Sequence, residues 1–357
     1  MINFKRVSFT MTNNQIIKNQ SVDFISYSPS DRYIGVALSN LTGSYWNGQI
    51  TILNTETPLS SSLEYNTNSG NTCLRWLSDD SLIFSSDSGA ISLLKIDDTS
   101  LQILNYLSTT TTTNSSNDND SNNKNKPPVP KKRRDNIIEI LLNCAHDNII
   151  SSIDVNHHDS NRLLTASNDR TIKLWDIENR CKSMQFNVHT SEVNAIQWSP
   201  KDADLFVSSS TGRVVLSDSR SKSSFTTVKL TNHRHADIPV RSINWNTDNI
   251  VWCGMDNGDL LSIDTRNNCY TQSTIKQHHR ATINQIKFNP FNNDQLSTVS
   301  DDRTYKIYNL STKQTVTSTI ESNINQPNYI KSIDWNKSIE NQFITGSNNG
   351  IITINKL

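Results

Sequence analysis

A closed ring of seven four-stranded β-sheets, an all-β seven-bladed propeller, is the fold this sequence predicts. Three observations carry it. A unit of alternating apolar and polar runs recurs seven times along the 357 residues. From Val155 the steps to Trp198, Trp245, Phe288 and Trp335 are 43, 47, 43 and 47 residues, which brackets the period of a four-stranded blade repeat. The clearest copy, His146 to Asp176 (HDNIISSIDVNHHDSNRLLTASNDRTIKLWD), closes on Trp-Asp. A period this regular implies sheets that bury their faces only against their neighbours.

In that copy, Ile149–Val155, Leu163–Ser167 and Thr171–Trp175 each have strand length. Asn, Asp, His and Ser separate them, and SNDR between the second and third runs is tight-turn chemistry. The first strands of the seven units end in FISYSP, LRWLSD, SIDVNH, AIQWSP, SINWNT, QIKFNP and SIDWNK. Six carry an aromatic at one position: Tyr27, Trp76, Trp198, Trp245, Phe288 and Trp335. The third strands close on Asn54, Asp97, Asp176, Asp218, Asp264, Asn309 and Asn355. Only one retains Trp-Asp, yet alternation alone assigns the faces of each sheet. The pattern is that of the WD40 repeat, and it predicts one propeller spanning residues 1–357.

The seventh unit stops at Leu357, after its third strand. Phe4–Thr12 (FKRVSFTMT) has strand-like alternation and is expected to pair outside blade seven, which closes the ring and removes the open edge. Residues 108–135 interrupt the period with STTTTTNSSNDNDSNNKNKPPVPKKRRD. They have almost no apolar content with which to offset ordering entropy and are predicted to form a disordered insert near blade two. Either Leu101–Leu107 or Ile137–Leu142 then supplies the outer strand of that blade. Lys131, Lys132, Arg133 and Arg134 after PPVP have the form of a nuclear import signal. A solvated basic patch is the other reading.

Composition excludes several function classes. The chain has 34 basic and 34 acidic residues, so no bulk charge favours nucleic acid or membrane as a direct partner. No apolar run reaches the roughly 18 residues of a membrane span. The N-terminal stretch lacks the apolar region of a secretory signal. Cys73, Cys144, Cys181, Cys253 and Cys269 are scattered, with no C-x-x-C pair. They are expected to be reduced thiols in a cytoplasmic and nuclear protein that holds no structural zinc.

No enzyme signature is present, and no cofactor or metal is expected. His146, Ser167 and Asp169 are the residue types of a nucleophilic triad. The arrangement recurs, however, as His279 with Asp302, and in part at His189 and His235. Repetition around a ring points to a structural network: a turn Asp holds the His, the His holds a strand hydroxyl, and the hydroxyl meets the indole of Trp175. His157–His158 and His278–His279 are adjacent pairs, but neighbours on a strand face opposite ways. They are expected to be loop or core histidines, not metal ligands. Asp218-Ser219-Arg220 and Asp264-Thr265-Arg266 end two blades with D-x-R. Similar endings occur in propellers that dock on cullin-ligase adaptors, and an ordinary strand-end ion pair is the plainer reading.

Blade one departs from its siblings. Its second and third strands, Tyr33–Leu38 and Gln49–Leu53, are predicted to be joined by a long loop, SNLTGSYWNG. Tyr45 and Trp46 sit near its tip, flanked by Gly43 and Gly48. A Trp on such a loop has little core to join, and Trp is a common anchor of protein interfaces.

ALSNLTGSYWNGQITIL, LRWLSDDSLIFSSDSGAISLLKID, HDNIISSIDV, TIKLWDI and DNGDLLSIDTR together resemble the methylosome protein 50 family. The blade-one segment and the SDSGA turn discriminate it from other WD40 repeats. The resemblance implies a non-catalytic adaptor of the type II protein arginine methyltransferase. It would stabilise the enzyme and help present histone and Sm-type substrates, in an assembly of four enzyme–propeller pairs. It further implies that Trp46 inserts into the barrel domain of the enzyme. A substrate receptor of a cullin ligase is the alternative. The insert at 108–135 departs from the family pattern.

Overall fold

The computed structural model describes residues 15–18, 20–42, 45–55, 62–96, 138–142, 145–221, 225–230, 238–246, 249–266, 271–319 and 328–357. Its strands form seven four-stranded antiparallel sheets. We call them blades one to seven and label their strands a to d from the centre outward. Blade one has Ser21–Tyr27, Tyr33–Thr42, Tyr45–Asn54 and Ser62–Thr67. Blade two has Asn71–Ser78, Ser81–Ser86, Ile91–Lys95 and Ile138–Leu142. Blades three to six follow the same order from Ile150 to Thr319. Blade seven has Ile330–Trp335, Gln342–Ser347 and Ile351–Lys356.

Its fourth strand is Gln15–Ile17, which pairs with Ile351–Thr353. The ring therefore closes through the N-terminal region as expected, but by a later segment. Phe4–Thr12 lies outside the described residues. The outer strand of blade two is Ile138–Leu142, paired to Ile91–Leu94. This settles a choice between two runs that hydropathy left open. The predicted insert at 108–135 lies outside the described residues.

Most strands b are buried over nearly their whole length; Arg162–Ser167, Leu205–Ser210 and Gln342–Ser347 are buried at every residue after the first. These are inner strands covered on both faces, which explains why they read as apolar and small-residue runs instead of alternating ones. The core is divided among the blade interfaces. One cluster joins Leu63 and Tyr65 of blade one to Leu74 and Phe84 of blade two. Another joins Ile344 and Ile352 of blade seven back to Val22 and Ile25 of blade one. The aromatic position of strand a lies in these clusters: Trp198, Trp335 and Tyr27 are buried.

At the centre, strands a of successive blades stand side by side without forming a common ladder. Side chains bridge them. Trp198 N donates to Asp154 Oδ2 at 2.9 Å, Trp245 N to Gln197 Oε1 at 2.7 Å, and Tyr27 N to Asp334 Oδ2 at 2.9 Å. Ile333 N likewise donates to Gln285 Oε1 at 2.8 Å. The residue one before the aromatic position supplies the acceptor in three of these four bonds. A polar residue there answers main-chain donors that would otherwise line the channel unpaired.

Candidate functional site

The blade-one segment does not form a loop. Strand b continues to Thr42 and strand c begins at Tyr45, with pairing from Ser39↔Gly48 through Leu41↔Trp46 to Thr42↔Tyr45. A two-stranded ribbon thus rises beyond the blade. Gly43 and Ser44 join it and lie outside the described residues. From sequence this stretch is expected to be a long loop, although Gly-Ser between Thr42 and Tyr45 is itself a hairpin signal. That signal was present in the sequence.

The base of the ribbon is pressed against blade two. A Cβ at Gly48 would lie 2.6 Å from both Ser69 O and Asn71 Nδ2 and 2.7 Å from Leu38 O, so only glycine fits. Buried Asn71 fastens the site, donating to Leu38 O at 3.1 Å and to Thr67 Oγ1 at 2.9 Å. Trp46 is 54% exposed, among the most exposed of the large apolar side chains described. Its indole nitrogen reaches over Gly70, where a Cβ would meet it at 2.7 Å and Asp87 Oδ2 at the same distance. The indole is therefore not tucked into the sheet stack of its own blade. Asp87 accepts the Gly70 N–H at 3.1 Å, and burial raises its pKa. Asp23 accepts from Ser39 beside the ribbon base, and burial raises its pKa as well. The side chain of Tyr45 is not among those described.

The histidine networks are structural, and one partner needs correction. His146 Nδ1 meets Asp169 at 2.7 Å and its Nε2 meets Thr165 Oγ1 at 2.7 Å. Trp175 Nε1 donates to the same Thr165 hydroxyl at 2.9 Å. The strand hydroxyl is thus Thr165, not Ser167. Ser167 lies one pleat further, at the strand end, where its hydroxyl accepts the Asp169 N–H at 3.1 Å and caps the turn. Both residues share a face at period two, so pattern alone could not choose between them. Burial by itself would raise the pKa of Asp169, but bonds from Thr171 and His146 outweigh it and lower the pKa to about 2.

Blade six repeats the network with His279, Asp302 at 2.9 Å and Thr298 at 2.8 Å. Tyr308 stands where Trp175 stands in blade three. The second contact to the Thr298 hydroxyl comes instead from His278 Nε2 at 3.0 Å, and the His278 ring packs edge-on against Tyr308. In blade four His189 bridges Ser208 and Ser210 at 2.8 Å each, and burial lowers its pKa to about 4. His235 lies outside the described residues. His157 and His158 are exposed on the turn after strand a of blade three. Among the described residues no group of three or more His, Cys, Asp or Glu is placed to hold a metal ion, and no helix is long and apolar enough to cross a membrane.

A channel of about 630 Å³ runs through the ring. Its carboxylates are engaged: Asp154 with Arg75 at 3.2 Å, and Asp334 with Lys287 at 3.7 Å and Ser26 at 3.0 Å. On the opposite face from the ribbon, Arg220 and Arg266 grip Asp218 and Asp264 through two nitrogens each. Both guanidinium groups are more than half exposed. The basic residues Lys131, Lys132, Arg133 and Arg134 lie outside the described residues.

Seven blades, the repeat period and the His–Asp–Thr–Trp fastening define a WD40-repeat propeller. A WD domain, G-beta repeat model matches residues 139–176, and a model of the N-terminal domain of nucleolar protein 10-like proteins matches 182–355. The chain is 20% identical to Methylosome protein WDR77 of Xenopus laevis over 317 residues, covering 87% of this chain and 82% of that one. It is 26% identical to Periodic tryptophan protein 1 of Saccharomyces cerevisiae over 46% of this chain and 29% of that one. It is 27% identical to a DDB1- and CUL4-associated factor 7 homolog of Dictyostelium discoideum over 45% of this chain and half of that one.

Proposed function

We propose that this propeller is a non-catalytic adaptor subunit of a type II protein arginine methyltransferase, stabilising the enzyme and helping present histone and Sm-type protein substrates. The observation that supports the reading is the projecting blade-one ribbon, which holds Trp46 half in solvent on a base that tolerates only glycine at position 48. An indole held this way has little ordering entropy left to lose on docking, which suits it to anchor an interface. The similarity to a methylosome protein over most of both chains agrees with it. An assembly of four enzyme–propeller pairs and residence in cytoplasm and nucleus belong to the same proposal. The engagement of the channel carboxylates with cations and main-chain donors supports an adaptor over an enzyme.

Trp46→Ala is expected to weaken binding to the purified methyltransferase by about 2 kcal/mol, roughly 30-fold, with the thermal midpoint unchanged. Titration calorimetry on the two variants reads this directly. Wild-type affinity in Trp46→Ala would remove the anchor.

A second reading, a cullin-ligase substrate receptor, is favoured by the two exposed and rigidly held arginines, Arg220 and Arg266, on the far face. Loss of ligase-adaptor binding in Arg220→Ala/Arg266→Ala, with methyltransferase binding absent in wild type, would select it.

A further inference from the structure

The main chain of the blade-one ribbon has an open edge, and the register shows where. Thr55 N donates to Arg32 O at 3.0 Å, which makes Arg32/Thr55 a hydrogen-bonded pair of strands b and c. Pairing then runs without a shift from Tyr33↔Asn54 to Thr42↔Tyr45. Bonded and non-bonded pairs alternate along an antiparallel ladder. Counting up from Thr55, Ser39/Gly48 and Leu41/Trp46 are both non-bonded pairs. Their N–H and C=O groups point away from the partner strand. At Gly48 those groups meet Thr67 of strand d. Two residues on, strand d has ended, and the main-chain N–H and C=O of Trp46 meet no partner among the described residues.

Free edges are normally guarded by Lys, Pro or an inward charge. Residues 38–49, LSNLTGSYWNGQ, contain no charged residue and no proline. The Asn71 bonds at the ribbon base and the close fit at Gly48 hold the edge in place.

We propose that an extended, uncharged segment of the docking partner adds to this edge. It occupies the lane that strand d leaves, exchanges two main-chain hydrogen bonds with Trp46, and packs beside the indole. The mode is β-strand addition, in which backbone groups supply affinity and flanking side chains supply selectivity. The proposal rests on the ribbon being the docking element for the methyltransferase.

The test compares Trp46→Ala with Trp46→Pro, using the full chain and the purified methyltransferase. Both remove the indole. Proline also removes the outward N–H, which takes no part in the ladder to strand b, so the blade keeps its bonds. Trp46→Pro is expected to bind at least about ten-fold more weakly than Trp46→Ala, the scale of one lost hydrogen bond. Equal affinity of the two overturns strand addition and leaves the indole anchor standing. Wild-type affinity in Trp46→Ala overturns the docking reading itself. If Trp46→Pro melts early, amide hydrogen exchange at Trp46 in the wild-type complex decides instead. Slowing on binding supports the proposal, and unchanged exchange overturns it. Dimerisation of the isolated propeller that Trp46→Pro abolishes would put a second copy on the edge and overturn the proposal.

Discussion

Thr165 is a single hydroxyl serving two partners in the interior: it donates to His146 Nε2 and accepts from the Trp175 indole N–H. Thr165→Val keeps the shape and strands both partners, so it is expected to cost about 2–4 kcal/mol. Ser167→Ala removes the turn cap and a long bond to Asn148 O at 3.3 Å, and should cost about 1 kcal/mol. Urea denaturation of the two variants separates them, and equal losses would return Ser167 to the network. The buried histidines give the protein an acid limit. Burial holds His189 down at about 4, against about 6.5 in the unfolded chain. Between those values the unfolded state binds the extra proton. The stabilisation is therefore complete above pH 6.5 and is lost as pH falls toward 4, with about 2 kcal/mol gone at pH 5. His278, lowered to about 3 by burial and its neighbour His279, acts in the same direction. Thermal melts from pH 7 to 5 should show a falling midpoint, with a shallower fall in His189→Gln. A midpoint independent of pH over this range would contradict the assignment.

At the scale of the element, the ribbon stands because two glycines keep side chains out of a crowded junction. Gly48→Ala places a methyl within 2.6 Å of a main-chain oxygen. It should destabilise the fold by about 1–3 kcal/mol and weaken partner binding by tilting Trp46. A double measurement of melting midpoint and affinity checks both. The turn glycines between strands b and c tell a parallel story. Gly258 has φ +82, and its Cβ would lie 2.2 Å from His279 O, while its own carbonyl accepts the His279 N–H at 2.9 Å. In blades three and six Arg170 and Arg303 take the same left-handed conformation, each at φ 72. The turn types were legible from Ser-Asn-Asp-Arg and Asp-Asn-Gly. The ribbon is hard to read from sequence because Ser39, Asn40, Gly43, Ser44, Asn47 and Gly48 interrupt any apolar alternation that would mark a strand.

For the whole molecule, stability is a property of closure. Three residues, Gln15–Ile17, complete blade seven, and side-chain bridges from Ser332 and Asp334 to Ile25 and Tyr27 tie its inner strand to blade one. Deleting residues 1–17 should reduce the unfolding free energy by about 2–4 kcal/mol for the lost ladder bonds, seen as a lower urea midpoint. It should also cause association through the uncovered edge of Ile351–Lys356. Light scattering reads the second effect; a monomeric deletion variant as stable as the parent would show that closure lies elsewhere.

The sequence by itself determined the number of sheets, the strand order within them, the aromatic position of strand a and the His–Asp pairs. Each of these is written in local alternation or in a repeat spacing that survives degeneracy. Only the tertiary structure decided that residues 15–17 close the ring, that Ile138–Leu142 completes blade two, that Thr165 and not Ser167 holds the network, and that Trp46 sits on a paired ribbon. Those outcomes depend on which of several equally patterned segments meets a distant partner. A periodicity specifies the faces of a strand, but contact across the ring chooses its neighbour.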